Sequence, residues 1–167
     1  IQLWDLRLGR NLTTINDHVG PITAIACSPD GKWMASADVN RTVRLWQVEP
    51  LEEVAQYRED AGSVTCLAFS PDSLELEIGA HGKTITLWDV ARSAKRQRWD
   101  AHSSQVNAVT YSPGGDVITA GRDGQVSVWS TIGELRHTFT HSHPVSDVRV
   151  SEDGELLVAA DTDGEIK

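Results

Sequence analysis

Four tryptophans recur at an almost constant interval, and this period constrains the fold more than any other feature of the chain. Trp4, Trp46, Trp88 and Trp129 are separated by 42, 42 and 41 residues. Each closes a short apolar phrase: Ile1-Gln2-Leu3-Trp4, Val43-Arg44-Leu45-Trp46, Ile85-Thr86-Leu87-Trp88 and Val126-Ser127-Val128-Trp129. Ser-Pro recurs at Ser28-Pro29, Ser70-Pro71 and Ser112-Pro113, with Ser151-Glu152 in the matching place of the last copy. A repeat of roughly 20–50 residues means one supersecondary unit that buries its apolar face only by stacking on its neighbours.

The copy from His102 to Trp129 defines the unit best. An apolar run, Val106 to Tyr111, meets a Ser-Pro-Gly-Gly turn, and a second run, Val117 to Ala120, meets an Asp123-Gly124 turn. A third run ends on Trp129. Short β-rich runs punctuated by turn residues predict a strand–turn–strand–turn–strand meander. No heptad or amphipathic helical period is present.

With these phased phrases and turns, the chain resembles a run of WD repeats, the family that builds β-propellers, over essentially its whole length. The resemblance implies an all-β fold, a β-propeller of four-stranded antiparallel blades whose strands a to d run from the central axis outwards. It divides the chain into strands c and d of a split blade (1–17), blades at 18–59, 60–101 and 102–140, and strands a and b of a last blade (141–167). About four repeats are expected to form an open arc, a fragment of a larger ring. Closure into four blades would set Ile166-Lys167 against Ile1-Gln2 in one place of the sheet.

The resemblance also implies a structural hydrogen-bond network in each blade. In the third blade it joins Asp123 to His102, His102 to Thr119, and Thr119 to the indole of Trp129. In the first it joins His18, Ser36 and Trp46, with Asn40 in the place of the aspartate. In the second, Asp60, Ile78 and Gly82 occupy the network places and cannot rebuild it; the last copy has His141 and Asp163 but Ala159 instead of a hydroxyl residue. Asp, His and a hydroxyl are also the residues of a nucleophile triad. No glycine-rich elbow surrounds Thr119, and the same residues recur, eroded, in neighbouring copies. Glu75 and Glu77 share one pleat face of a strand and are expected near solvent; paired-carboxylate chemistry needs acids opposed across a cleft instead. His137, His141 and His143 lack regular metal-ligand spacing. No catalytic, cofactor or metal site is therefore expected.

Charge narrows the partners. The chain carries 24 acidic against 15 basic residues, a formal net charge of −9. Surfaces that hold nucleic acid by its phosphates need an excess of Lys and Arg, so no nucleic-acid partner is expected. Apolar runs are only of strand length, which argues against a membrane partner. Cys27 and Cys66 fall within apolar strands as small core residues, which fits a reducing compartment, the cytoplasm. A non-enzymatic protein–protein interaction scaffold is the leading reading, binding other proteins or peptides; the alternative is a sensor or regulatory segment of a larger signalling protein such as an NTPase or kinase. The candidate partner-binding face carries the residues just before each expected network aspartate: Val39, His81, Arg122 and Thr162. Remaining blades of the same chain, or a second copy, would complete the ring.

Overall fold

The computed structural model describes residues 1–167. Its elements are sixteen strands in chain order. A first pair, β1 (Gln2–Asp5) and β2 (Arg10–Thr14), forms a two-stranded sheet. Three antiparallel four-stranded sheets follow. They are β3 (Ile22–Cys27), β4 (Trp33–Asp38), β5 (Thr42–Gln47) and β6 (Glu52–Arg58); β7 (Val64–Phe69), β8 (Glu75–Ala80), β9 (Thr84–Asp89) and β10 (Ala94–Asp100); and β11 (Val106–Tyr111), β12 (Val117–Gly121), β13 (Gln125–Trp129) and β14 (Leu135–Thr140). A second pair, β15 (Val145–Val150) and β16 (Leu157–Asp161), ends the series. Sheet order follows chain order in every case, as in a simple meander.

Innermost strands β3, β7, β11 and β15 stand side by side around the axis, while β14 at the periphery is exposed along its whole length. Sheets β1–β2 and β15–β16 share no ladder, so the blades form an open arc. No helix is long and apolar enough to cross a membrane.

The recurring Ser-Pro turn shows why its residues are repeated. Ser28 Oγ donates to Asp30 Oδ1 at 2.6 Å and accepts the amide of Trp33 at 2.9 Å. Ser70 makes the same pair of bonds to Asp72 and Glu75. One hydroxyl thus closes the turn from both sides and starts the second strand in register. The left-handed place in this turn is Gly31 in one blade and Gly115 in another, but Ser73 in the second (φ 63°). Ser73 is buried there, and its hydroxyl accepts the amide of Asp30 from the preceding blade at 3.2 Å.

Apolar surface is buried between blades rather than within one centre. Ala35, Ala37, Val43 and Leu45 pack against Val64, Leu67, Leu76, Ile78 and Trp88. Ile85 packs with Val106, Val109, Val117 and Trp129, and Ile118, Ala120 and Val126 with Val145, Val148 and Ala159. Each sheet is therefore apolar on both faces wherever it has two neighbours, as a sandwiched strand must be. Trp33, at the start of β4, is half-buried against the first of these clusters.

Two expectations are corrected by the packing. Glu75 and Glu77 do share one face of β8, but that face meets the next blade instead of water. Glu77 is fully buried, with Tyr111 Oη donating to its Oε1 at 3.3 Å and its Oε2 unpaired. Glu75 sits nearer the edge, paired with Arg96. The thiol of Cys27 is not in a core: β3 has only a two-stranded sheet before it, so Cys27 and Ile25 on its outer face are exposed. Cys66 remains half-buried, and burial pushes its thiol up to about 12.

Candidate functional site

In the third blade the polar side chains form a continuous path. His102 Nδ1 lies 2.9 Å from Asp123 Oδ1, His102 Nε2 lies 2.8 Å from Thr119 Oγ1, and Trp129 Nε1 donates to Thr119 Oγ1 at 3.0 Å. A single tautomer satisfies every group: Nδ1–H donates to Asp123, Nε2 accepts from the Thr119 hydroxyl, and that hydroxyl accepts from the indole. Asp123 also accepts the amides of Ser103 and Gln125. Burial alone would raise its carboxyl; the Ser103 amide, His102 and the Gln125 amide together hold it below the ordinary value. Burial pushes the His102 imidazole down, against the pull of Asp123. Thr119 is fully buried, so no substrate reaches its hydroxyl, and the path serves to pin the turn between β12 and β13.

The first blade builds the same path with a different acid. His18 Nε2 lies 2.7 Å from Ser36 Oγ, and Trp46 Nε1 donates to Ser36 Oγ at 2.9 Å. The carboxylate, however, is Asp38, 2.9 Å from His18 Nδ1, and not the Asn40 amide. Asp38 is buried at the end of β4 and accepts the amides of Asn40 and Thr42, which leaves the Asn40 side chain exposed in the turn. In the last copy Asp161, rather than Asp163, stands 3.5 Å from His141 and accepts the amides of Asp163 and Glu165. The acid thus arises from either of two places, two residues apart. Gly121 occupies the earlier place in the third blade, where a Cβ would collide with the His102 ring and with Asp123 Oδ1. Comparing Ser36-Ala37-Asp38 with Ala159-Ala160-Asp161 and Thr119-Ala120-Gly121 was the signal for this in the sequence.

The second blade replaces the path. Ile78 is buried in the apolar cluster. Asp60 is exposed, and its neighbour Glu59 is the buried acid, accepting the Ala61 amide at 2.9 Å with Arg98 3.8 Å away. The Tyr57 ring packs on Trp88 with centroids 4.8 Å apart and planes tilted by 51°, and burial pushes its hydroxyl up to about 12. The three histidines of the last copy do not converge: His137 and His143 are exposed, while His141 is buried against Asp161.

Val39, His81, Arg122 and Thr162 are all exposed in equivalent turns. Their backbone amides donate respectively to the carbonyls of Pro21, Ser63, Gln105 and Pro144, each just ahead of an innermost strand. Four side chains of different character are thereby held by one repeated backbone bond on one face of the arc. Val39 and His81 line an open depression of about 570 Å³ at the inner strands, which Arg122 and Thr162 do not reach. Thr23, Ser63, Thr65, Gln105, Asn107 and Ser146 form most of the remaining wall.

Four of these wall residues went unnoticed in the sequence. Pairing of each innermost strand slips between Ile22 and Ala24, Val64 and Cys66, Val106 and Ala108, and Val145 and Asp147. The residue passed over is Thr23, Thr65, Asn107 or Ser146, a β-bulge that re-aims its side chain. Thr65 Oγ1 donates to Val106 O at 2.6 Å and Asn107 Nδ2 to Val145 O at 2.6 Å, so two of the bulges tie one blade to the next. A polar residue second in every apolar run was the available signal.

Comparison with known proteins agrees with this geometry. The profile described as "WD domain, G-beta repeat" matches residues 9–47, 51–89, 94–130 and 133–167. The chain is similar to eukaryotic translation initiation factor 3 subunit I of Culex quinquefasciatus, 39% identical over 51 residues, which are 30% of this chain and 16% of that protein. It is also similar to periodic tryptophan protein 2 of Saccharomyces cerevisiae, 32% identical over 59 residues, 31% of this chain and 6% of that protein. The chain thus spans only a small part of these relatives' own length. With four profile matches laid end to end on repeating blades, the chain belongs to the WD domain, G-beta repeat family.

Proposed function

We propose that the chain is a non-enzymatic protein–protein interaction scaffold, and that the face carrying Val39, His81, Arg122 and Thr162 receives the partner, a protein or peptide. One observation carries this reading: a repeated backbone bond presents four unlike, exposed side chains on one face, while the acid–histidine–hydroxyl set is sealed inside the blades. Loops held by a rigid frame are where binding residues concentrate. Further blades, from the same chain or a second copy, would continue the arc at both two-stranded sheets. Two free cysteines fit a reducing compartment such as the cytoplasm. In a pull-down with the full-length protein, Val39→Glu combined with Thr162→Arg should abolish capture of the partner without changing thermal unfolding. The control pair Lys32→Glu and Glu152→Arg, at exposed turn positions away from that face, should leave capture intact. Equal capture by both pairs would remove this face from consideration.

A further inference from the structure

The last copy keeps the acid–histidine pair but not its bond. The side chains of His141 and Asp161 are 2% and 0% exposed, yet His141 Nδ1 and Asp161 Oδ2 stand 3.5 Å apart and neither has a hydrogen-bond partner. The matching pairs in the first and third blades close to 2.9 Å. Ala159 supplies the reason. In those blades the hydroxyl of Ser36 or Thr119 donates to Nε2 and fixes the imidazole proton on Nδ1, facing the acid. With no hydroxyl at Ala159, the proton is free to sit on Nε2, which leaves the Nδ1 lone pair facing a carboxylate oxygen. A cation between two such buried acceptors satisfies both at once.

Glu165 completes the set: one ligand atom from each of His141, Asp161 and Glu165 falls within 4.8 Å of the others. The turn brings it there. Asp161 Oδ1 accepts the amides of Asp163 and Glu165, which holds residue 165 beside the acid while Oδ2 stays free. With metal–ligand bonds of about 2.0–2.2 Å, a tetrahedral zinc holds its ligand atoms about 3.4 Å apart, close to the 3.5 Å between His141 and Asp161. Glu165 is exposed, so its side chain is free to close the remaining distance. Its Oε2 pairs with Lys167 at 3.1 Å; an ion pair at the surface contributes little and gives way to a divalent ion. An imidazole with two carboxylates suits zinc and its divalent neighbours rather than the soft ions that prefer thiolates. His141 and Lys167 also line an open groove of about 520 Å³ beside β14 and β16, which gives water access to a fourth position. We propose that His141, Asp161 and Glu165 bind a divalent transition-metal ion, zinc above all, which pins the turn of the last copy in place of the missing hydroxyl path. Histidine spacing does not announce this site, because its ligands are one histidine and two acids joined by a turn.

Calorimetric titration of zinc into the metal-stripped chain tests the site, with Cys27→Ser in place so that the exposed thiol does not compete. One zinc should bind per chain. Glu165→Gln, at an exposed position, should unfold thermally like the parent in chelator. It should bind zinc about ten-fold more weakly or worse, since residues that only support a metal ligand already cost that much. Zinc should raise the unfolding temperature of the parent and leave that of Glu165→Gln nearly unchanged. Asp161→Asn should lose binding as well. His143→Gln, which removes the exposed imidazole beside Asp163, should bind as the parent does. No saturable binding at micromolar zinc, equal affinity in Glu165→Gln and the parent, or a loss in His143→Gln equal to that in Glu165→Gln would overturn the proposal.

Discussion

Asp38 and Asn40 lie two residues apart and differ in what surrounds them. Asp38→Ala should cost about 1–3 kcal/mol in urea denaturation, because His18 and two backbone amides lose a buried acceptor. Asn40→Ala, at an exposed turn, should stay within about 0.5 kcal/mol. A cost at Asn40 equal to that at Asp38 would contradict the assignment of the acid. The carboxyls of Asp38 and Asp123 are held below their ordinary value, so their contribution is present above that value and lost as pH falls through the folded one. Glu77 runs the other way. Burial raises its carboxyl well above the ordinary value, so the unfolded chain ionises first and stability declines as pH rises from there. Glu77→Gln keeps an acceptor for Tyr111 but cannot ionise. Its stability relative to the parent should therefore rise with pH, by up to about 1.4 kcal/mol per unit, in denaturation series between pH 5 and 8. A pH-independent difference would mean that Glu77 is ionised in the folded state.

Among the elements, β8 is where the repeat departs furthest from its neighbours. Ile78 fills, with apolar bulk, the place held by Ser36 and Thr119, and Thr86, Tyr57 and Glu59 each keep a buried oxygen without a hydrogen-bond partner beside it. Reinstating the hydroxyl would not reinstate the path, because Asp60 is exposed and no imidazole is present. Ile78→Ser should cost about 2–5 kcal/mol in chemical denaturation, from the cavity left by the lost apolar bulk. A neutral outcome would show that β8 still adapts to the polar path. The bulges of β3, β7, β11 and β15 are a contrasting case: the same slip appears in all four, with Thr, Thr, Asn and Ser at the bulged place.

For the whole molecule, stability is the sum of interblade layers, and the layers stop at two open sheets. Trp4, Leu6 and Leu12 at one end and Leu156, Val158 and Ile166 at the other are exposed apolar side chains. Exposed strand edges and apolar patches of this kind promote pairing between chains. The isolated chain should therefore associate with concentration in light scattering, and Leu156→Lys with Val158→Lys should shift it towards the monomer. A chain that stays monomeric at high concentration would mean that these faces are covered in solution.

Period and composition alone determined that the chain is all-β, repeated four times, and built of short antiparallel strands. A 42-residue spacing of Trp46 and Trp88 and a two-residue alternation within each run are local properties, written into neighbouring residues. The path through His102, Thr119, Asp123 and Trp129 was legible through the resemblance to WD repeats, because that copy alone keeps all four residues of the network at their expected places. Tertiary structure decided the rest. Whether Asp38 or Asn40 meets His18 depends on a few ångströms of backbone at a turn, and whether Glu77 meets water depends on a tyrosine 34 residues away in the next blade. Alternation says which residues share a face, but only the neighbouring blade determines what that face meets.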